Sequence, residues 1–537
     1  MKQITKAAFL GSAALLAGTS AASAADGKCF KKQAPKQDKP NVIFLLFDDA
    51  GYGDFSCYGQ KKTETPVIDA LASQGIRFTD MYAAAPLSSP SRCGLMTGLH
   101  MGHAQVRANE ETQAPSPEMN IWDYEACWKD TRLQGQCALA PGTPTLGSMM
   151  QSAGYKTAIV GKWSLGIPGT ESGANHFGFD LAAGTQCQRW AHLYYPPALW
   201  RNDEMVPLNN TLVKPGTNID EGADPYDERS YDKFVGKEYG PDAMYREIKN
   251  FVIENQKDPF FVMWTTNVPH APLQCPPEGV GYYHEKYGEE EPLPWNIGQV
   301  DTWPHNYYPC RYPRATFSQM ISHIDAQMGD MLHTLDSLGI RENTIIIVSS
   351  DNGPAVNTTS AVPTKYFQSA SPFPSKKGWT KSSLHEGGIR VPFIVVWPAK
   401  IKAGAESDHI GYFPDVMPTL ADLAGVDCPI ESDGVSLAPM LLGKAGDQKE
   451  HEYLYFEFPN TKGWVAIRYG KWKGLLQKAN KGNNVLELYD IVADPRETTD
   501  LAAQNPEIVA KMWEFIRESH VDNPKEIFNT TINFPEK

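Results

Sequence analysis

Apolar residues in this chain fall into short unbroken runs, separated by stretches in which they recur every three or four positions. Asn41–Phe47 is the first such run, with no polar alternation, as expected of a strand buried on both faces. Similar runs lie at 156–160, 259–267, 344–350 and 392–397. Helical spacing lies between them at 67–74, 242–255, 318–338 and 414–423. Strands alternating with helices predict an α/β fold with a large, mostly parallel sheet sandwiched by helices. Past residue 445 the texture changes. Short strand patterns at 453–458, 465–468, 471–476 and 485–489, then an amphipathic helix at 506–519, predict a smaller C-terminal α+β domain on a short antiparallel sheet. Two segments rich in Pro, Cys and aromatics, 114–142 and 275–314, read as long loop insertions of the kind that carry function.

The ends of the chain refine this picture. Residues 1–24 have a basic start at Lys2 and Lys6, an apolar run too short to span a bilayer, and a small-residue site at Ala22-Ser23-Ala24, as in a cleavable signal peptide. Residues 25–40 read as a polar, Lys/Pro-rich tether, 41–445 as the catalytic part and 446–537 as a C-terminal subdomain. No later stretch has the length and apolarity of a membrane span. The chain is therefore expected in the periplasm or secreted. The formal charge is −14, and loss of the signal lysines makes it more negative. Such a surface disfavours nucleic acid and long polyanions, and leaves room for a small anion in a local basic pocket. Nine cysteines in an exported chain permit disulfides, with Cys127–Cys137 and Cys275–Cys310 as plausible pairs and at least one thiol left over.

Chemistry gathers where the apolar runs end. The first is followed by Asp48-Asp49, the second by Gly161-Lys162, the third by His270, and the fourth by Asp351-Asn352-Gly353. In an open α/β sheet ligands bind beyond the carboxyl ends of the strands, so these groups are expected to converge. Gly51 and Gly53 are read as the turn that lets both Asp48 and Asp49 face one ion. Three carboxylates and an amide are hard oxygen ligands, suited to calcium or magnesium.

Ser88-Ser89-Pro90-Ser91-Arg92, followed by Leu95-Met96-Thr97-Gly98, resembles the signature of the type I sulfatases. In that family the first residue of the motif, here Ser88, becomes formylglycine, whose hydrate attacks sulfur. The resemblance extends over most of the chain. It implies an alkaline-phosphatase-like fold and metal ligation by Asp48, Asp49, Asp351, Asn352 and the modified Ser88. It assigns Lys162, in Gly-Lys-Trp-Ser-Leu-Gly, to the aldehyde hydrate and sulfate. Lys381 matches the sulfate-binding lysine, His270 an active-site histidine, and Arg92 the arginine that steadies the modified residue. It further implies calcium, with magnesium possible, and a sulfated mono- or oligosaccharide substrate, while the acidic surface favours exo action on small oligosaccharides. The serine form implies a radical S-adenosylmethionine maturase acting before export, in an anaerobic or facultative bacterium.

One position departs from the family, which has histidine where this chain has Ser164. His192 and His385 are candidates to replace that base, and with Arg201 they are candidates for substrate binding. Tyr194-Tyr195-Pro196 and Leu199-Trp200-Arg201-Asn202 resemble segments near the pocket in carbohydrate-active members, so their aromatics are candidates to stack on a sugar, and 457–464 to overhang the pocket. Two other readings follow from the same residues: a phosphatase, phosphodiesterase or phosphonate hydrolase of the same superfamily, and a sulfated-glycan binder without turnover.

Overall fold

The computed structural model describes residues 39–109, 126, 130, 133, 136–185, 187–188, 190–293, 307–356, 363–459 and 463–535. The signal, nearly all of the tether, and Cys127 lie outside the described residues, as does most of 114–142.

Asn41–Phe47 sits inside a ten-stranded sheet. It pairs in parallel with Phe260–Thr265 on one side and Thr344–Ser350 on the other. Its successive residues point to opposite faces. Val42, Phe44 and Leu46 enter one hydrophobic core, while Ile43, Leu45 and Phe47 enter a second. That double burial explains the unbroken apolar run. Helices Gly240–Glu254 and Pro313–Leu338 cover one face, giving Ile248, Phe251, Ile321 and Met328 to the second core. Helix Val416–Ala424 covers the other, giving Met417 and Leu420 to the first. Both longer helices carry proline in the first turn, where a missing N–H costs no helical bond.

The parallel part runs Thr344–Ser350, Asn41–Phe47, Phe260–Thr265, Lys156–Gly161, Leu181–Gly184. The remaining strands make the sheet mixed. Phe393–Val396, read from sequence as one more run of the same kind, is antiparallel to Thr344–Ser350. Ile76–Phe78 adds antiparallel to it, and Ala405–Ser407 follows. At the far edge Ala198–Arg201 and Glu204–Pro207 form an antiparallel hairpin. Direction is set by how each connection crosses the sheet, which apolar content does not encode.

The C-terminal domain is the antiparallel sheet Leu454–Phe458, Trp464–Tyr469, Trp472–Gln477, Leu486–Asp490, with helix Pro506–Ser519 against it. The segment 275–314 contains helix Val280–Tyr287, so it is not all loop. Cys275 and Cys310 are buried free thiols, and the Cys310 Sγ–H donates instead to Thr316 Oγ1 at 3.3 Å. Among the described residues no helix is long and apolar enough to cross a membrane.

A buried charge cluster joins the C-terminal sheet to the segment that carries Lys381. Lys473 Nζ lies 2.9 Å from both Glu386 Oε1 and Glu497 Oε1. Glu386 Oε2 accepts from Tyr82 Oη and Arg390 Nη1. Burial would raise the Glu386 carboxyl, but the Lys473, Arg390 and Arg468 charges outweigh it and hold it at about 2. Lys473→Met leaves two buried carboxylates short of a partner and is expected to destabilise the fold by about 3–5 kcal/mol at neutral pH. Glu386 titrates below its ordinary 4.5, so its contribution is complete above that pH and is lost as pH falls toward 2. Denaturant midpoints of the two proteins are therefore expected to differ at pH 7 and to approach each other in acid. Coincident midpoints at pH 7 would show the cluster to be energetically idle.

Candidate active site

Strand register places the site. Asp351 N–H donates to Phe47 O at 3.0 Å, so the two Asp-bearing strand ends emerge side by side. On the other side Lys162 N–H donates to Thr265 O at 2.8 Å, and Asp48 N–H to Val268 O at 3.0 Å. Gly161 has φ +124, and a Cβ there would stand 1.9 Å from Thr265 O. Only glycine lets the chain pass so close and deliver Lys162.

The turn at the first strand end differs from the sequence expectation. Asp49 itself adopts the left-handed conformation, φ 66, and carboxylate oxygens of Asp48 and Asp49 lie within 4.8 Å of each other. This conformation is uncommon for a residue with a Cβ and marks a position held by its surroundings. Gly51 and Gly53 have negative φ. Gly51 serves close packing instead, since a Cβ there would lie 2.0 Å from Ser369 O.

Helix Ser88–Thr97 is buried throughout and brings the signature motif to these strand ends. Ser88 Oγ donates to Asp48 Oδ1 at 3.0 Å, receives Lys162 Nζ at 3.3 Å, and lies 3.5 Å from Asn352 Oδ1. Lys162 Nζ also pairs with Asp48 Oδ2 at 2.6 Å. Arg92 grips Asp351 Oδ2 through Nε and Nη2 at 3.1 and 2.9 Å, and donates to Lys162 O through Nη1. Asn352 Nδ2 donates to Asp49 Oδ1 at 2.7 Å. Lys381 Nζ lies 2.6 Å from Asp49 Oδ2 and 3.1 Å from His270 Nε2. Asp48, Asp49, Ser88, Arg92, Lys162, His270, Asp351, Asn352 and Lys381 thus form one cluster.

Charge is finely divided within it. Burial would raise the Asp48 carboxyl, but Lys162, His270, Arg92 and Lys381 together hold it well below the usual carboxylate range. Burial and then the Asp48 charge push Asp351 up to about 6, against the pull of Arg92. Burial lowers Lys162. Burial opposes ionisation of Lys381 too, yet Asp49 and Asp48 raise it. His270 is lowered, first by burial and then by Lys381.

The donor set fits a hard divalent cation. The carboxylates of Asp48 and Asp49 and a ring nitrogen of His270 have ligand atoms within 4.8 Å of one another. Asp351 and Asn352 adjoin them through Asp49. Asp351, raised by burial and then by the carboxylate of Asp48, is a buried acid whose ionised form a cation would favour.

The remaining sequence candidates separate. His192 lies against the cluster, its ring stacked on that of His270 with centroids 4.4 Å apart and planes 8° apart. Its Nε2 is buried with no hydrogen-bond partner among the described residues. Arg201 is not brought in; it is exposed at the hairpin edge and paired with Glu247 at 3.2 Å. His385 stacks on Trp379 at 4.0 Å and faces Glu497 Oε2 at 3.3 Å. Its ring therefore belongs to the junction with the C-terminal domain. Ser164 is buried at φ 64, and its Oγ has no partner among the described residues. Tyr194 is fully buried against Tyr239 and is not a surface for a sugar. Glu457 is buried with Tyr455 and His520, while Trp464 packs beside His385. The Glu386–Lys473–Glu497 cluster carries no local signal in the sequence, because the partners of Glu386 lie 87 and 111 residues on.

Comparison with known proteins gives the arrangement its context. The family model described as Sulfatase matches residues 40–426, and that of the N-sulphoglucosamine sulphohydrolase C-terminal region matches 376–522. The chain is 28% identical to N-acetylgalactosamine-6-O-sulfatase of Bacteroides thetaiotaomicron over 94% of this chain and 97% of that one. It is 26% identical to arylsulfatase A of Homo sapiens over 88% and 80%. The solved structure of Ps i-CgsB superposes with a TM-score of 0.67 at 24% identity, covering 91% of this chain and 94% of that one. With the sulfatase model spanning most of its length and the signature helix lodged among the strand-end carboxylates, the chain belongs to the sulfatase family and is a sulfuric ester hydrolase.

Proposed function

We propose that the chain is an exo-acting carbohydrate sulfatase that works through a formylglycine hydrate made from Ser88. The observation that carries this reading is the place of the Ser88 hydroxyl, buried between Asp48, Lys162 and Asn352. A plain serine needs an adjacent base to attack, and here its partners are a carboxylate and an ammonium already paired with each other. An aldehyde hydrate supplies two hydroxyls. One, ionised, would attack sulfur as the sulfur–oxygen bond to the sugar breaks; the other would then lose its proton and re-form the carbonyl as the carbon–oxygen bond to sulfate breaks, leaving the aldehyde to be rehydrated by water.

Asp48, Asp49, Asp351 and Asn352, with the modified residue 88, would hold calcium, and the same oxygens accept magnesium. Such an ion, when bound, polarises oxygen and favours the ionised hydroxyl. Lys162 and Lys381 place positive charge where the sulfuryl oxygens rest. His270 would give the departing oxygen a proton held on Nε2, a charge state that the negative sulfate favours against the burial and the Lys381 ammonium that lower the ring in the free site, and Arg92 fixes Asp351 and the carbonyl of Lys162. His192 lines the substrate side of His270.

Carbohydrate as substrate class is supported by the bacterial relative named for N-acetylgalactosamine and by Ps i-CgsB, solved also with k-i-k-neocarrahexaose. Residues 1–24 are a leader and 25–40 a tether, ahead of a catalytic part at 41–445 and a C-terminal subdomain at 446–537. That leader sends the protein to the periplasm or outside, after a radical S-adenosylmethionine maturase has acted on Ser88.

The same cation-holding carboxylates suit phosphorus esters, so the test compares both. Matched aryl sulfate and aryl phosphate esters are given to protein carrying the aldehyde. Sulfate release is expected to exceed phosphate release by at least about 100-fold in kcat/KM, a difference of about 2.7 kcal/mol in transition-state binding. Preference for phosphate overturns the reading.

A further inference from the structure

We infer that Tyr194 is a positioning residue for His270, the anchor of a clamp formed by residues 191–194 on the turn that carries it. The inference rests on the proposed role of His270 as the acid for the leaving oxygen. Three contacts make the clamp. Tyr194 Oη lies 2.7 Å from both Asn267 O and His270 O, so its single proton is shared between the carbonyls that bracket the turn. Asn267 Nδ2 returns a bond to Ala191 O at 2.7 Å. The His192 ring lies flat against the imidazole of His270. Burial, and after it the Asp48 charge, raise the Tyr194 phenol well above its ordinary range, so the hydroxyl keeps its proton to donate.

The clamp fixes what His270 presents to the cluster. His270 Nδ1 sits 2.7 Å from Ala271 O, a carbonyl that can only accept, so Nδ1 carries a proton. Nε2 is then the atom turned inward, 3.1 Å from Lys381 Nζ and 3.5 Å from Asp49 Oδ2. A ring held on one face by His192 and at its backbone by Tyr194 has little freedom to swing away from that direction. An imidazole misplaced by about 1 Å forfeits much of the gain from proton transfer.

Tyr194→Phe deletes the hydroxyl and retains the ring packed on Tyr239. The full mature chain, with residue 88 converted, is assayed on 4-nitrophenyl sulfate and on unsubstituted phenyl sulfate. Nitrophenolate departs with little help, whereas phenolate needs a proton more. The variant is expected to lose about tenfold in kcat on phenyl sulfate and less than about twofold on the nitrophenyl ester, with KM unchanged on both. In a His270→Ala background the same change is expected to add nothing. Equal losses on the two esters, or a full additional loss without His270, overturn the inference. His270→Ala itself separates this failure from that of the underlying reading: if it costs the two esters equally, His270 is not the acid. Should Tyr194→Phe not fold, Asn267→Ala cuts the clamp at its other bond and is expected to show the same split.

Discussion

Replacement of Ser88 by alanine is expected to lower sulfate release by at least about four orders of magnitude while leaving the fold intact. Loss of a covalent nucleophile alone costs about a millionfold where it has been dissected, and the residual rate comes from the binding and electrostatic groups that remain. Here those groups are Lys162, Lys381, Arg92 and the strand-end carboxylates, none of which the substitution removes. Among the described residues Ser88 Oγ makes its hydrogen bonds with Asp48, Lys162 and Asn352, so its loss leaves a small polar gap and no unpaired charge. Lys162 and Asp48 stay joined at 2.6 Å. Activity within about tenfold of the parent protein, measured as sulfate released from aryl esters, contradicts a nucleophile at this position.

The second large effect concerns the divalent ion. Dialysis against a chelator is expected to remove more than about 99.9% of activity, and added calcium to restore it. Asp48, Asp49 and Asp351 are buried within a few ångströms of one another, and Asp351 is pushed up to about 6 by burial and by Asp48. Arg92, Lys162 and Lys381 match these carboxylates in number, each joined to one of them, and a bound cation would take over the carboxylates and release the two lysines to the sulfuryl oxygens. Protonation of Asp351 weakens a cation's hold, so calcium affinity is expected to fall as pH drops below about 6. Calorimetric titration at pH 7.5 and pH 5 checks the direction. Activity that persists without metal contradicts the site.

Much of this site was legible in the chain because a strand buried on both faces is written as an unbroken apolar run, and its polar terminus then stands out. Asp48-Asp49, Lys162, His270 and Asp351-Asn352 each close or follow such a run, and strand register does the rest. The core strands and main helices were legible for the same reason. The sheet's edges were not. Ile76–Phe78 and Ala198–Arg201 have three and four residues, too few for a period to show, and the direction of Phe393–Val396 depends on a crossing that no local pattern records. Long-range contacts were equally hidden. Glu386 meets Lys473 and Glu497 across 87 and 111 residues, and Tyr194 reaches His270 across 76. Arg201 shows the opposite failure: a basic residue in a suggestive aromatic segment lies on an exposed hairpin, occupied by Glu247. The turn at Asp49 is a further case, since a positive φ at an aspartate is imposed by the packing of 48–54 against Ser369 and Asp351.

The measurement that bears most directly on the central claim is the mass of the peptide containing residue 88, taken alongside activity. Protein is made with and without a radical S-adenosylmethionine maturase and compared at equal concentration. The account predicts a loss of two hydrogens at residue 88 with the maturase, and sulfate release in proportion to the converted fraction. Full activity in protein whose residue 88 is unmodified serine contradicts it.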